Sequence, residues 1–279
     1  MPNYYAHLIF GRAVLSQLPA VLRSQLEAER AAFDVGLYGP DPLFFYHPMT
    51  RNHARATGIA MHKQPVRPAA ERLRRAVEDD LPYARGYAAG FLCHFALDSR
   101  CHYYVEEQVA RWGLSHAGME VELDRALMVA DGVDPLHETP MPSADLPPSF
   151  YETAAAVYPG VKPVQFEKGL QLFRRVSRLQ TRAAGTKVHR FANWAGGRSH
   201  KFSKVRGTVL SPAPDPVYTE TTRTLLALLE EEVSPTAQEL SRFFAAVARG
   251  TGLDGWYDRP FGGQWKTDQQ LVGRRAATR

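Results

Sequence analysis

His94, Asp98 and His102 recur at four-residue steps within residues 83–111, a segment otherwise apolar nearly all round. At about 100° per residue they fall on one stripe of a helix, with successive rises of about 6 Å. An unpaired carboxylate is costly to bury, so Asp98 needs a compensating partner. A core His–Asp pair satisfied by hydrogen bonds is one answer. The next helical segment repeats the pattern with His116 and Glu120, again four residues apart. Two segments that each present imidazole and carboxylate on one face favour another answer. A divalent cation neutralises the carboxylates and engages the imidazoles together.

The upstream sequence supplies more of the same chemistry. Asp41 sits in the turn Gly39-Pro40-Asp41-Pro42, which leaves a carboxylate facing out of a sharply bent backbone. His62 lies in AMHKQP just before a helix, and His7 in YAHLIFGRAVL opens the first one. Alone, each reads as a capping aspartate or a surface histidine. With the two helical stripes they complete a set of eight ligand-type residues. Seven of the ten histidines lie between His7 and His116.

The elements that must position this set read as helices. Isoleucine occurs only at positions 9 and 59, and β-branched runs are few, so strand signals are poor. Residues 12–29 place Val14, Leu15, Leu18, Leu22 and Leu26 at helical steps, with Pro19 predicted to kink or split them. Pro68 suits the first turn of a helix over 68–79. The apolar character of 83–111 marks a buried central helix. Ser115 is placed to cap a helix running to about Asp131 and ending at Gly132. Seven prolines between 133 and 165 predict an irregular surface excursion. Helices are predicted again at about 165–184, 217–232 and 235–249, the last two divided at Ser234-Pro235, before an irregular tail. The expected fold is all-α, a single multi-helical domain over residues 1–279, with the metal core in about 5–130.

With its eight residues in order, the sequence resembles the bacterial zinc-dependent phospholipase C family. The likeness is carried by His7 in YAHLIFGRAVL, Asp41 in GPDP, His62, H94-x3-D98-x3-H102 and S115-H116-x3-E120. Fungal single-strand-specific nucleases share that helical, three-metal architecture. The resemblance implies a phosphoric-diester hydrolase using a metal-activated water, with two or three zinc ions. Asp41, His62, His94 and Asp98 would hold one zinc, and His102, His116 and Glu120 a second. A third would lie between His7, Asp98 as a bridging carboxylate, and the chain's N-terminal amine and carbonyl. Asp41 would double as the general base. The implied partner is a phosphodiester, with phospholipid ahead of nucleic acid, and a peripheral membrane contact. A nuclease- or phosphatase-like esterase and a non-catalytic zinc-stabilised binding module are the alternatives. Familiar members begin with a tryptophan whose amine binds metal, whereas this sequence begins Met1-Pro2, six residues before His7. They also place five residues, rather than three, between the positions matched by Asp98 and His102.

The remaining features bound the setting. The chain has 279 residues, 44% hydrophobic and 23% charged, with a net charge of +5, which excludes collagen, coiled coil and wholesale disorder. No apolar run reaches a membrane span, and the start has no charged region ahead of its short apolar stretch, so the expectation is a soluble, cytoplasmic protein. Ten Lys/Arg and no acid between Arg174 and Arg206 make either an electropositive surface or a solvated helix face plus loop. Leu43-Phe44-Phe45-Tyr46 either lines a pocket beside Asp41 or packs in the core. Cys93 and Cys101, eight helical residues apart, are beyond disulfide reach and read as free thiols.

Overall fold

The computed structural model describes residues 4–137, 145–183 and 213–262, and they contain helices and no strand. Helix α1 spans Tyr4–Gln17, α2 Ala20–Ala28, α3 Arg30–Gly36, α4 His53–Met61 and α5 Arg67–Glu78. The central helix α6 spans Ala84–Trp112, followed by α7 His116–Ala130, α8 Pro148–Ala156, α9 Pro163–Ala183 and α10 Thr219–Arg249. A 3-10 turn, Asp41–Phe45, carries the GPDP aspartate.

Helix α6 is the axis of the molecule. Its residues from Ala84 to Ser99 are buried almost without interruption, so neighbours must cover it on every side. α3 does so backbone against backbone. A Cβ on Gly90 would stand 2.1 Å from the Phe33 carbonyl oxygen, and one on Gly36 would stand 2.6 Å from that of Tyr87. That close approach carries the chain straight from α3 into the turn bearing Asp41. α1, α5 and α10 pack on other sides of α6, and α9 packs on the 3-10 turn.

Local signals hold where the chemistry is local. Pro19 separates α1 from α2. The Ser115 side chain accepts a hydrogen bond from Gly118 N–H at 3.2 Å and caps α7, which is followed by Gly132 at φ +73°. Asp124 on α7 accepts from the N–H groups of Tyr5 and Ala6 at 3.1 and 2.8 Å. These are among the unsatisfied donors of the first turn of α1, so α7 sets where α1 begins, and with it His7.

Two expectations are corrected. The helices predicted at 217–232 and 235–249 are one continuous α10 with Pro235 inside it. Pro235 and Glu231 both face solvent, so the carbonyl that loses its amide partner can be hydrated. Meanwhile one buried stripe, Leu225, Leu229, Val233, Ala237, Leu240 and Phe243, runs past the proline on both sides. The Pro-rich excursion is not wholly irregular, because it holds α8, with Pro148 at the first helical position, where no N–H is needed. Phe150 and Ala154 anchor that helix in the core. Of the acid-free basic stretch, most of its length, with His189, Asn193, Trp194 and His200, lies outside the described residues, as does most of the tail.

Candidate metal centre

The chain brings all eight ligand-type residues together from five places. His7 comes from the first turns of α1, Asp41 from the 3-10 turn, and His62 from the end of α4. His94, Asp98 and His102 come from α6, and His116 and Glu120 from the start of α7. Asp98 is the hub. Its carboxylate oxygens lie 3.3 Å from His7 Nε2, 3.2 Å from His94 Nε2, 3.5 Å from His102 Nε2 and 3.9 Å from His62 Nε2. Asp41 Oδ1 is 3.2 Å from His62 Nε2. Glu120 Oε1 lies 2.9 Å from His116 Nε2 and 3.5 Å from His102 Nε2.

The ligand atoms fall into three groups, each with its atoms within 4.8 Å of one another. They are His7, His94 and Asp98; Asp41, His62 and His94; and His102, His116 and Glu120. Asp98 therefore sits nearer the His7 group than the sequence expectation had it, while still reaching His62, and His94 is common to two groups.

Several imidazoles are held by the nitrogen that faces away from the cluster. His94 Nδ1 pairs with the Leu37 carbonyl at 3.1 Å, His62 Nδ1 with the Gly58 carbonyl at 2.9 Å, and His116 Nδ1 with Glu106 at 2.9 Å. Such contacts leave Nε2 as the nitrogen that faces the cluster and is available to a metal. Gly39 tightens the arrangement around His94. At φ +49° it presents bare backbone where a Cβ would stand 2.2 Å from His94 Cδ2, and the Tyr158 hydroxyl donates to its carbonyl at 2.8 Å. The aromatic ring of Phe261 lies 4.9 Å from that of His62 and 5.8 Å from that of His94.

The electrostatics fit a cation. His94 Nε2 is buried with no hydrogen-bond partner, despite its proximity to Asp98. Burial, reinforced by the neighbouring His94, pushes His7 below the usual imidazole pKa, toward the neutral form that ligates; the two rings stack at 4.4 Å. Burial alone would raise Asp98 and Glu120, yet both are held below the ordinary carboxylate range, Asp98 by the histidines around it and Glu120 by positive charge that includes His116 and His102. Burial would likewise lower His62, His102 and His116, but Asp41, Asp98 and Glu120 respectively raise them, His116 to about 9. The carboxylates stay ionised, and imidazoles that release their protons on ligation complete a donor set suited to zinc.

Seven of the eight residues line one cavity of about 550 Å³, with His94 buried behind them. Phe44, Phe45, Arg55, Ile59, Glu106 and Gly262 complete its wall. Phe44 and Phe45 thus face the cavity, whereas Leu43 packs in the core. Phe261 and Gly262 arrive on a strap after α10. It is held where Val66 N–H donates to the Arg259 carbonyl at 3.1 Å and where Arg67 pairs with Asp258 at 2.5 Å.

Sequence reasoning passed over Glu106 and Asp124, although both were readable. Glu106 continues the series His94, Asp98, His102, and Asp124 continues His116, Glu120, each at the next four-residue step. Arg55 and Ile59 belong to α4, which was not predicted, and Phe261 depends on a pairing between distant segments. His47 and His53 stand apart from the cavity lining, the latter against the Pro159 carbonyl. Cys93 and Cys101 are buried free thiols, raised in pKa by burial.

Residues 6–156, just over half of the chain, match the family model described as zinc dependent phospholipase C. No curated protein and no solved structure matches the chain.

Proposed function

Because the chain belongs to the zinc-dependent phospholipase C family, we propose that it hydrolyses phosphoric diesters, phospholipids first among them, with a metal-activated water. One observation carries this reading: seven of the eight ligand-type side chains open onto a single substrate-sized cavity. A purely structural zinc site is closed, whereas a catalytic one keeps positions facing a space that substrate and water can enter.

Bound there, divalent ions would clamp phosphate oxygens, lower the pKa of a water and stabilise the leaving alkoxide. The residues that would hold them are His7, Asp41, His62, His94, Asp98, His102, His116 and Glu120. Asp41, buried at the cavity wall against His62, takes the proton of the attacking water as general base. Asp98 joins the groups and fixes four imidazoles around one charge. Glu106 holds the His116 ring by Nδ1 and so aims its Nε2 inward. Phe44, Phe45 and Ile59 exclude water from one wall and offer apolar surface to the substrate.

Supporting details extend the reading. Met49, 95% exposed on the segment after the 3-10 turn, supports a peripheral lipid contact. None of the described helices is long and apolar enough to cross a membrane. The two free thiols support a reducing, cytoplasmic compartment. A site drawn from His7 to Gly262 supports one domain along the chain.

The test is reconstitution. Protein stripped with chelator should lose hydrolysis of bis(p-nitrophenyl) phosphate and of dispersed phosphatidylcholine, and regain both with zinc. A metal content below one ion per chain after loading would overturn the reading. So would absence of turnover at every pH in a protein that zinc stabilises, which would leave a binding module.

A further inference from the structure

Among the described residues, Arg55 is the only Lys or Arg lining the cavity. Its backbone N–H is used by the Asn52 cap at 2.9 Å. Its guanidinium makes no hydrogen bond or ion pair with any described residue. The other charged groups in the wall are differently placed: Asp41, Asp98 and Glu120 belong to the ligand cluster, and Glu106 is taken by His116 at 2.9 Å. An arginine left unmatched in a concave, half-apolar site is a receptor for an anion, and its planar fork suits carboxylate or phosphate.

Its place on α4 says which part of a substrate it would meet. Arg55, Ile59 and His62 are four and three residues apart, within about 60° on one helical face. Arg55 lies about 10 Å from His62 along the axis. Helical side chains lean toward the N-terminus, which carries the guanidinium away from the ligand cluster. Between the two, Ile59 and Phe44 form an apolar step, with Phe44 against His62 at 5.0 Å between rings. A phosphate held at the cluster spans far less than that interval. About two helical turns from His62 on the same cavity wall, Arg55 is placed to meet a substituent of the diester while the scissile phosphate lies at the cluster.

We infer that Arg55 is a specificity residue selecting diesters whose head group, the substituent that stays on the phosphate when the diacylglycerol alkoxide leaves, carries a second negative charge, a carboxylate or a phosphate, over those carrying a quaternary ammonium. The inference rests on the phosphodiesterase reading above. The same guanidinium that pairs with an anion repels a cationic head group brought into the cavity, so discrimination comes from both directions.

The experiment compares short-chain dihexanoyl lipids as substrates of the zinc-loaded protein. They are phosphatidylserine (carboxylate), phosphatidylinositol 4-phosphate (phosphate) and phosphatidylcholine. The wild type should show higher kcat/KM on at least one anionic lipid than on phosphatidylcholine, and the better of the two identifies the anion. Arg55→Gln should lower that anionic-to-choline ratio about tenfold or more, the scale of one charge-assisted pair. Arg55→Lys, which keeps charge but not the fork, should fall between. A wild type that prefers phosphatidylcholine, or an Arg55→Gln ratio equal to wild type, overturns the inference. Calorimetric binding of soluble glycerophosphoserine and glycerophosphoinositol 4-phosphate separates this from failure of the hydrolase reading. Binding that disappears in Arg55→Gln without any turnover leaves the anion site standing and the hydrolase reading refuted. No binding and no preference removes the anion site.

Discussion

Gly39→Ala should disable the half of the cluster that contains His94 while sparing the other. The added Cβ would stand 2.2 Å from His94 Cδ2, more than 1 Å inside an ordinary contact, and 2.7 Å from Nε2. The ring lacks room to yield. Its Nδ1 is tied to the Leu37 carbonyl at 3.1 Å, its face stacks on His7 and its edge meets Phe261. If His94 moves, that hydrogen bond is lost; if the backbone moves, the Tyr158–Gly39 bond is lost. Either costs about 0.5–1.5 kcal/mol. An L-residue at φ +49° adds about 1–2 kcal/mol. The sum, about 1.5–3.5 kcal/mol, predicts a melting temperature lower by roughly 3–6 °C for a chain of 279 residues. Metal analysis should show loss of ions from the groups sharing His94, while the His102, His116 and Glu120 group still loads. Thermal unfolding and metal content on the same preparation provide the check. A Gly39→Ala protein with wild-type melting and metal stoichiometry would refute the packing argument and the placement of His94 together.

Asp98→Asn removes a charge shared by four imidazoles, and should lower metal content by at least one ion and hydrolysis by about 100-fold or more, beyond the usual effect of an outer ligand partner; full metal content would contradict its role as hub. In metal-free protein His116 is raised from 6.5 to about 9, so the folded form binds its proton more tightly than the unfolded chain. The stability this contributes is complete below about 6.5 and is lost as pH rises through about 9. Stripped protein should melt lower across that window, while the gap between zinc-loaded and stripped protein widens because ligation requires deprotonated imidazoles. A flat profile for stripped protein would count against the account. Phe261→Ala should cost about 3–5 kcal/mol, as for other buried Phe truncations, and weaken zinc retention; unchanged thermal unfolding would show that the strap does not support the histidines.

What was legible in the sequence was what a few neighbouring residues decide. The four-residue steps of α6 and α7, the Ser115 cap and the break at Pro19 each depend on helix geometry alone, and each is found where expected. Pro235 misled because a proline's local penalty says nothing about which side of the helix it occupies. With its face in water and an apolar stripe buried on either side, the helix continues. α8 was hidden by the prolines around it, although Pro148 is a helix start rather than a break. The cavity's far wall was illegible for a different reason. Arg55 and Ile59 belong to a short helix with only Ala54 and Gly58 buried, so its apolar periodicity is weak. Phe261 reaches His62 through a bridge between Pro65 and Pro260 that no local pattern announces.

That bridge also bears on modularity. Every one of the eight ligand-type residues lies within residues 6–156, yet the wall that shuts the cavity behind His62 and His94 does not. A fragment cut to the matched region would keep the full donor set but expose the faces of Phe91 and Phe95 against which Phe261 packs. It would also uncover the side of α6 against which α10 lies. The chemical recipe is compact in sequence, but the vessel is not. The cluster cannot be transplanted as a cassette, and shortening the chain ahead of Phe261 would open the site from behind, against His62 and His94, although Phe261 lies well over a hundred residues further along the chain.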